Sequence, residues 1–137
     1  VEIEPALVRW MSDGTIPHGT QLLADPRVEV RVADVAQALT AHPAGGLDLV
    51  LLDVDNGPGY LVHDANAVLY ERPFLAAVRR SLAPGGMVVV WSAAPAPSLM
   101  AALEAEFGGA QELDYDVRLQ DRDEQYWLYA ARVASTV

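Results

Sequence analysis

Acidic side chains recur at the ends of apolar runs in this sequence, where a carboxylate can meet a ligand. Glu2 sits in the opening Val-Glu-Ile-Glu segment, Asp34 closes the alternating run Val28 to Ala33, and Asp53 falls at the end of the run Leu47 to Val54. A glutamate at the carboxyl end of a strand can accept hydrogen bonds from both hydroxyls of a ribose lying over the sheet edge; its ordinary alternative is a solvated strand-end side chain. Glu4 is better placed to serve the amino terminus of the helix that follows it. Asp34 is well suited to cap a helix starting at Val35. Asp53 stands at the face where open α/β sheets bind ligands. Asp55 and Asn56 can hold a cationic amine, or shape the turn before Gly57-Pro58, for which both residue types are ordinary choices. Tyr60, His63 and Tyr70 add aromatic faces that could contact an alkylammonium group.

Two metal readings fail on spacing. Asp-Val-Asp-Asn-Gly at residues 53 to 57 has its glycine one position too early for a calcium loop, and no glutamate stands at the twelfth position. His18, His42 and His63 show no ligand spacing, which argues against zinc.

These residues need a scaffold, and the sequence predicts one by alternation. Val1 to Glu4 reads as the end of a strand, Pro5 to Ser12 as a short helix with proline at its first position, and Asp13 to Asp25 as a loop. Val28 to Ala33 alternates as a strand does, and Val35 to His42 reads as a helix before a turn at Pro43 to Gly46. The apolar run Leu47 to Val54 suits a parallel strand covered on both faces, at the sheet centre. After a Gly/Pro loop at Asn56 to Gly59, a helix over Pro73 to Leu82 leads through Pro84-Gly85-Gly86 to a strand at Met87 to Trp91. Ser98 to Phe107 is a further helix, and Gln111 to Leu119 with Gln125 to Val133 forms a terminal hairpin turning at Gln120 to Glu124. The acidic residues Glu112, Asp114, Asp116, Asp121, Asp123 and Glu124 read as a solvated face of that hairpin. Trp91 reads as a packing residue.

Composition narrows the chemistry. The chain has 137 residues, 52% of them hydrophobic, and no repeat or low-complexity linker divides it, so residues 1–137 are expected to form a single domain. There is no cysteine, which excludes disulfides, thiolate metal sites and cysteine nucleophiles. All nine basic residues are arginine, so lysine chemistry is excluded as well. A formal charge of −10 repels nucleic acid and anionic membranes and attracts cations such as polyamines. No apolar run approaches the ~20 residues that span a bilayer, and no basic-then-apolar leader opens the chain; a cytoplasmic protein is expected.

Four stretches in order resemble the spermidine synthase family, within the class I S-adenosylmethionine-dependent methyltransferase superfamily. They are Val-Glu-Ile-Glu-Pro at 1 to 5; Asp-Pro-Arg-Val at 25 to 28 leading to Ala33-Asp34; Leu-Leu-Asp53 with Gly57-Pro58; and Leu69-Tyr70-Glu71-Arg72-Pro73-Phe74 followed by Arg79 to Gly86 and Met87 to Trp91. Together they run from Val1 to Trp91. The resemblance implies an α/β fold of the Rossmann-like class I methyltransferase kind, with a mostly parallel sheet, an antiparallel C-terminal hairpin and helices on both faces.

It also implies roles. Glu2 would hold the ribose of an S-adenosyl ligand, Asp34 the adenine amino group and Val35 a backbone contact to it. Asp53 would contact the ligand and act as general base toward a substrate amine, with Asp55, Asn56 and Tyr60 near that substrate. The donor implied is S-adenosylmethionine or its decarboxylated form, with no metal. The partner implied is a small molecule, with a polyamine as one candidate, and a homodimer is left open.

The sequence departs from the family in two places. It begins at what resembles the second strand, so the first strand and its glycine-rich loop have no counterpart, and either missing upstream residues or a naturally reduced domain would explain that. The family usually shows two aspartates three apart, a proline and then Gly-Pro, whereas Asp53 to Pro58 is about two residues shorter, with Asn56 where the second aspartate is expected and Asp55 as its shifted substitute. Three functions follow as alternatives: an aminopropyltransferase-like enzyme, a small-molecule methyltransferase, and a catalytically degenerate binding or dimerisation module.

Overall fold

The computed structural model describes residues 1–135. The chain folds as two compact units, Val1–Ala41 and the part from His42 onward.

The first unit holds three helices, α1 (Pro5–Ser12), α2 (Gly19–Leu23) and α3 (Val35–Ala41). Helix α1 begins where expected, with proline in its first turn, and the Glu4 carboxylate accepts the Ala6 amide at 2.9 Å as an N-cap. Helix α2 lies in the stretch expected to be loop. The strand expected over Val28 to Ala33 is reduced to one parallel bridge between Glu2 and Val32. The Glu2 amide donates to the Arg31 carbonyl at 2.9 Å and the Ala33 amide to the Glu2 carbonyl at 3.0 Å. Alternating valines favour extended backbone, but a ladder needs a partner of matching length, and Val28, Val30 and Val32 remain exposed.

The second unit is a four-stranded mixed sheet of β1 (Leu47–Leu52), β2 (Leu82–Ser92), β3 (Ala110–Leu119) and β4 (Arg122–Arg132), in the spatial order β1-β2-β4-β3. Strands β1 and β2 are parallel and are joined through helix α4 (Arg72–Ser81), as a crossover requires. Strands β4 and β3 add antiparallel pairs, so the predicted hairpin forms. Its two-residue turn places Gln120 and Asp121 at φ 47° and 66°, the left-handed pair that matches strand twist. Helix α5 (Pro97–Phe107) packs on β3 and β4, and α4 packs on α5 and β2.

Strand periodicity decides which side chains are covered. Val88 and Val90 pair across the sheet with Ala131 and Tyr129, and all four are buried, with Leu75, Val78, Leu99 and Leu103 from the two helices completing the core. Each of these valines and leucines contributes roughly 1.5–3 kcal/mol by leaving water. The opposite face carries Leu49, Leu51, Leu113 and Tyr115, all exposed, and Trp91, whose ring meets Tyr126 edge-on at 5.0 Å.

Strand β1 therefore differs from the expected central strand. It lies at an edge of this sheet, with Val50 and Leu52 buried and Leu49 and Leu51 exposed. A continuous apolar run does not reveal whether a second strand flanks it. The Pro84-Gly85-Gly86 turn interrupts the β1–β2 register, which jumps from Leu47–Leu82 to Leu49–Met87. Gly86 is required there, since a Cβ would come within 2.9 Å of the Ala83 carbonyl oxygen and 3.0 Å of that of Leu47.

Candidate active site in the loop after the first strand

Asp53 leaves the carboxyl end of β1 with an exposed side chain, and among the described residues no hydrogen bond is made to it. Asp55, two residues on, is buried at 7% exposure. Its Oδ1 accepts the amides of Val62 at 2.8 Å and Asn56 at 2.9 Å, and its Oδ2 accepts Asn66 Nδ2 at 3.0 Å. Burial alone would raise the Asp55 pKa; hydrogen bonds from the Asn66 side chain and the Val62, Asn56 and His63 amides outweigh it and hold the carboxyl below its ordinary range.

The same loop is sewn to the end of β2. The Ala93 amide donates to the Asn56 carbonyl at 3.1 Å. Gly57 has φ 96° and lies against buried Ser92, whose Oγ a Cβ at position 57 would overlap. Ser92 Oγ in turn donates to the Ala94 carbonyl at 2.7 Å. The Tyr60 amide closes a turn on the Gly57 carbonyl at 3.1 Å, leaving the Tyr60 ring 66% exposed.

A 3₁₀ helix over Asp64–Tyr70, absent from the sequence reading, follows the turn and is fastened to it through Asn66. At its last residue the Tyr70 hydroxyl is pushed up to about 12 by burial first and by the charges of Asp55 and Asp53 next. Tyr70 therefore remains a protonated donor throughout the neutral range.

Glu2, Asp34 and Val35 belong to the first unit. The parallel Glu2–Val32 bridge brings the carboxyl ends of two extended segments side by side, one bearing Glu2 and the other leading to Asp34. Glu2 Oε1 accepts the Glu4 amide at 2.7 Å, and Asp34 Oδ1 accepts the Ala36 amide at 2.7 Å as the cap of α3, which starts at Val35. Among the described residues the other carboxylate oxygen of each carries no such bond, so both retain an acceptor. The acidic hairpin residues are largely solvated, with Arg118 reaching Asp121 at 3.6 Å and Asp123 at 3.4 Å. Among the described residues no group of three His, Asp or Glu could hold a metal ion, and no helix is long and apolar enough to cross a membrane.

No protein-family profile matches the chain. Spermidine synthase 1 of Pisum sativum is 38% identical over 65 residues, covering 47% of this chain and 18% of the relative. Putrescine N-methyltransferase 3 of Nicotiana tabacum is 34% identical over 88 residues, covering 64% of this chain and 22% of the relative. The chain thus spans about a fifth of the length of these curated relatives. A crystal structure of spermidine synthase with the transition-state analogue AdoDATO superposes with a TM-score of 0.80 at 13% identity, over 98% of this chain and 46% of that one. The chain has a spermidine synthase-like fold.

Of the carboxylates expected at strand ends, Asp53 follows β1, while Glu2 lies in the isolated bridge to Val32 and Asp34 two residues beyond it. The brace between Asp55 and Asn66 is what the sequence reading missed. Eleven residues separate the two, and no local pattern links them; only an asparagine inside an otherwise apolar Ala-Asn-Ala-Val-Leu segment hints at a buried partner.

Proposed function

We propose that this chain is part of an S-adenosyl-ligand-dependent transferase that moves an aminopropyl or methyl group to the nitrogen of a small amine. The observation that carries this reading is Asp53, an exposed carboxylate at the carboxyl end of β1 in a loop whose other aspartate is tied down. The names of the two relatives, a spermidine synthase and a putrescine N-methyltransferase, support both branches of the reaction.

Asp53 takes the proton as the amine nitrogen bonds to the carbon beside the sulfonium. The carbon–sulfur bond breaks with its electron pair staying on sulfur. The product is a neutral thioether, so no acid is required, and positioning with one base suffices. Glu2 keeps a free carboxylate oxygen for ribose hydroxyls, and Asp34 with the Val35 backbone serves the adenine edge. Tyr60 and Asn56 lie on the turn beside Asp53 in sequence and offer an aromatic face and an amide to the acceptor.

Calorimetric titration with methylthioadenosine, S-adenosylmethionine and decarboxylated S-adenosylmethionine tests the reading. Saturable binding that weakens about tenfold or more in Glu2→Ala is expected, and the preferred donor chooses between the methyl and aminopropyl branches. No saturable heat with any of the three would sink it.

A further inference from the structure

We infer that Asp55 is a positioning residue of the loop, which leaves Asp53, of the two aspartates, to meet the acceptor, so that the acceptor is held there through a single amino group. The substrate part of this inference rests on the proposed transfer to an amine.

A carboxylate has about four lone-pair sites. Asp55 spends three of them on the amides of Asn56 and Val62 and the side chain of Asn66, with both oxygens engaged. With 7% exposure and a partner on each oxygen, it is poorly placed to take an ammonium ion. An incoming cation would have to displace donors that hold the turn to the 3₁₀ helix.

The partners show what those bonds do instead. Through Val62 and Asn66 they close the chain over seven and eleven residues. Through Asn56 the same loop reaches Ala93 at the end of β2, and Gly57 packs on Ser92 there. The exit of the chain from Asp53 is therefore braced from both sides. Two free carboxylates could grip both ends of a diamine; here Asp53 is exposed and Asp55 is its brace. Asp64, the next acidic residue, sits exposed in the first turn of the 3₁₀ helix, where negative charge suits the free amides.

The test uses the full chain in four forms: parent, Asp53→Asn, Asp55→Asn, and the exchange Asp55→Asn/Asn66→Asp, which can re-form the bond with donor and acceptor reversed. Amide hydrogen exchange at Asn56, Val62 and His63 is read in each, alongside affinity for 1-aminobutane and 1,4-diaminobutane. Protection is expected to fall about tenfold or more in Asp55→Asn and to recover in the exchange variant. Asp53→Asn is expected to keep protection while losing about tenfold or more in affinity for both amines. Asp55→Asn that loses amine affinity with its loop amides still protected would show direct contact and overturn the inference, as would Asp53→Asn that binds both amines like the parent. If the parent binds neither amine, amine transfer fails and takes the substrate part with it; Asp55's positioning role is still decided by the exchange variant alone.

Discussion

Asn66 Nδ2 donates to Asp55 Oδ2 at 3.0 Å, joining the turn after β1 to the middle of a 3₁₀ helix eleven residues later. This bond, with the Val62 amide on the other carboxylate oxygen, turns a polar surface loop into a fixed element beside Asp53.

Removing the acceptor should therefore cost stability as well as loop order. Asp55→Ala leaves at least three donors without their partner, and a loss of about 1–3 kcal/mol is expected from the desolvated groups alone. Denaturant unfolding of parent and variant checks it; an unchanged midpoint would mean that water satisfies the loop equally well.

Asp55 also sets a pH dependence. Its folded pKa lies below the ordinary carboxylate value of about 4, so the native state holds the charged form more firmly than the unfolded chain does. The resulting stability is fully present above the unfolded pKa and is lost as pH falls through the folded one. Protection of the Val62 amide should hold at neutral pH and decline on acidification below about pH 4, and Asp55→Asn should flatten that decline.

Tyr70 should behave in the opposite sense at the alkaline end. With its folded value near 12 against an ordinary 10.0, the phenol stays protonated while exposed tyrosines ionise. Its contribution to stability is complete below the unfolded value and disappears as pH rises through the folded one. Ultraviolet titration of tyrosinate, compared between parent and Tyr70→Phe, should place the missing absorbance above the step given by the exposed tyrosines.

Gly57→Ala is expected to be disruptive. The residue has φ 96°, and an added methyl would overlap Ser92 Oγ, so strain and overlap act together. A cost of roughly 1–3 kcal/mol follows from the backbone alone. Thermal unfolding should show a drop of several degrees that Ser92→Gly in the same chain only partly repairs, because the backbone strain remains.

Tyr129→Phe isolates one buried hydroxyl. Tyr129 is fully buried, and its oxygen accepts the Ala96 amide at 2.6 Å just ahead of α5. Loss of about 1–3 kcal/mol is expected, with faster exchange of the Ala96 amide as its local signature.

The sequence alone specified the elements whose causes are local. Proline at the start of α1, Glu4 before it, and Asp34 before Val35 are caps and breakers that act within four residues. The apolar periods of α4 and α5 act within one element and mark which face is buried, whereas the apolar face of β3 stays exposed. The position of Asp53 just past β1 was legible for the same reason, since the apolar run Leu47 to Leu52 marks its own end. What only the tertiary structure decided depends on partners distant in sequence. Val28 to Ala33 has strand-forming residues, yet a single bridge to Glu2 is all the pairing it finds. Leu47 to Val54 reads as a central strand, but β1 has a neighbour on one side only within its sheet. Asp53 and Asp55 look alike as letters, and burial beneath Val62 and Asn66 divides them into a free carboxylate and a tethered one. Chemical potential belongs to the residue type, but availability is set by which donors the folded chain brings to it.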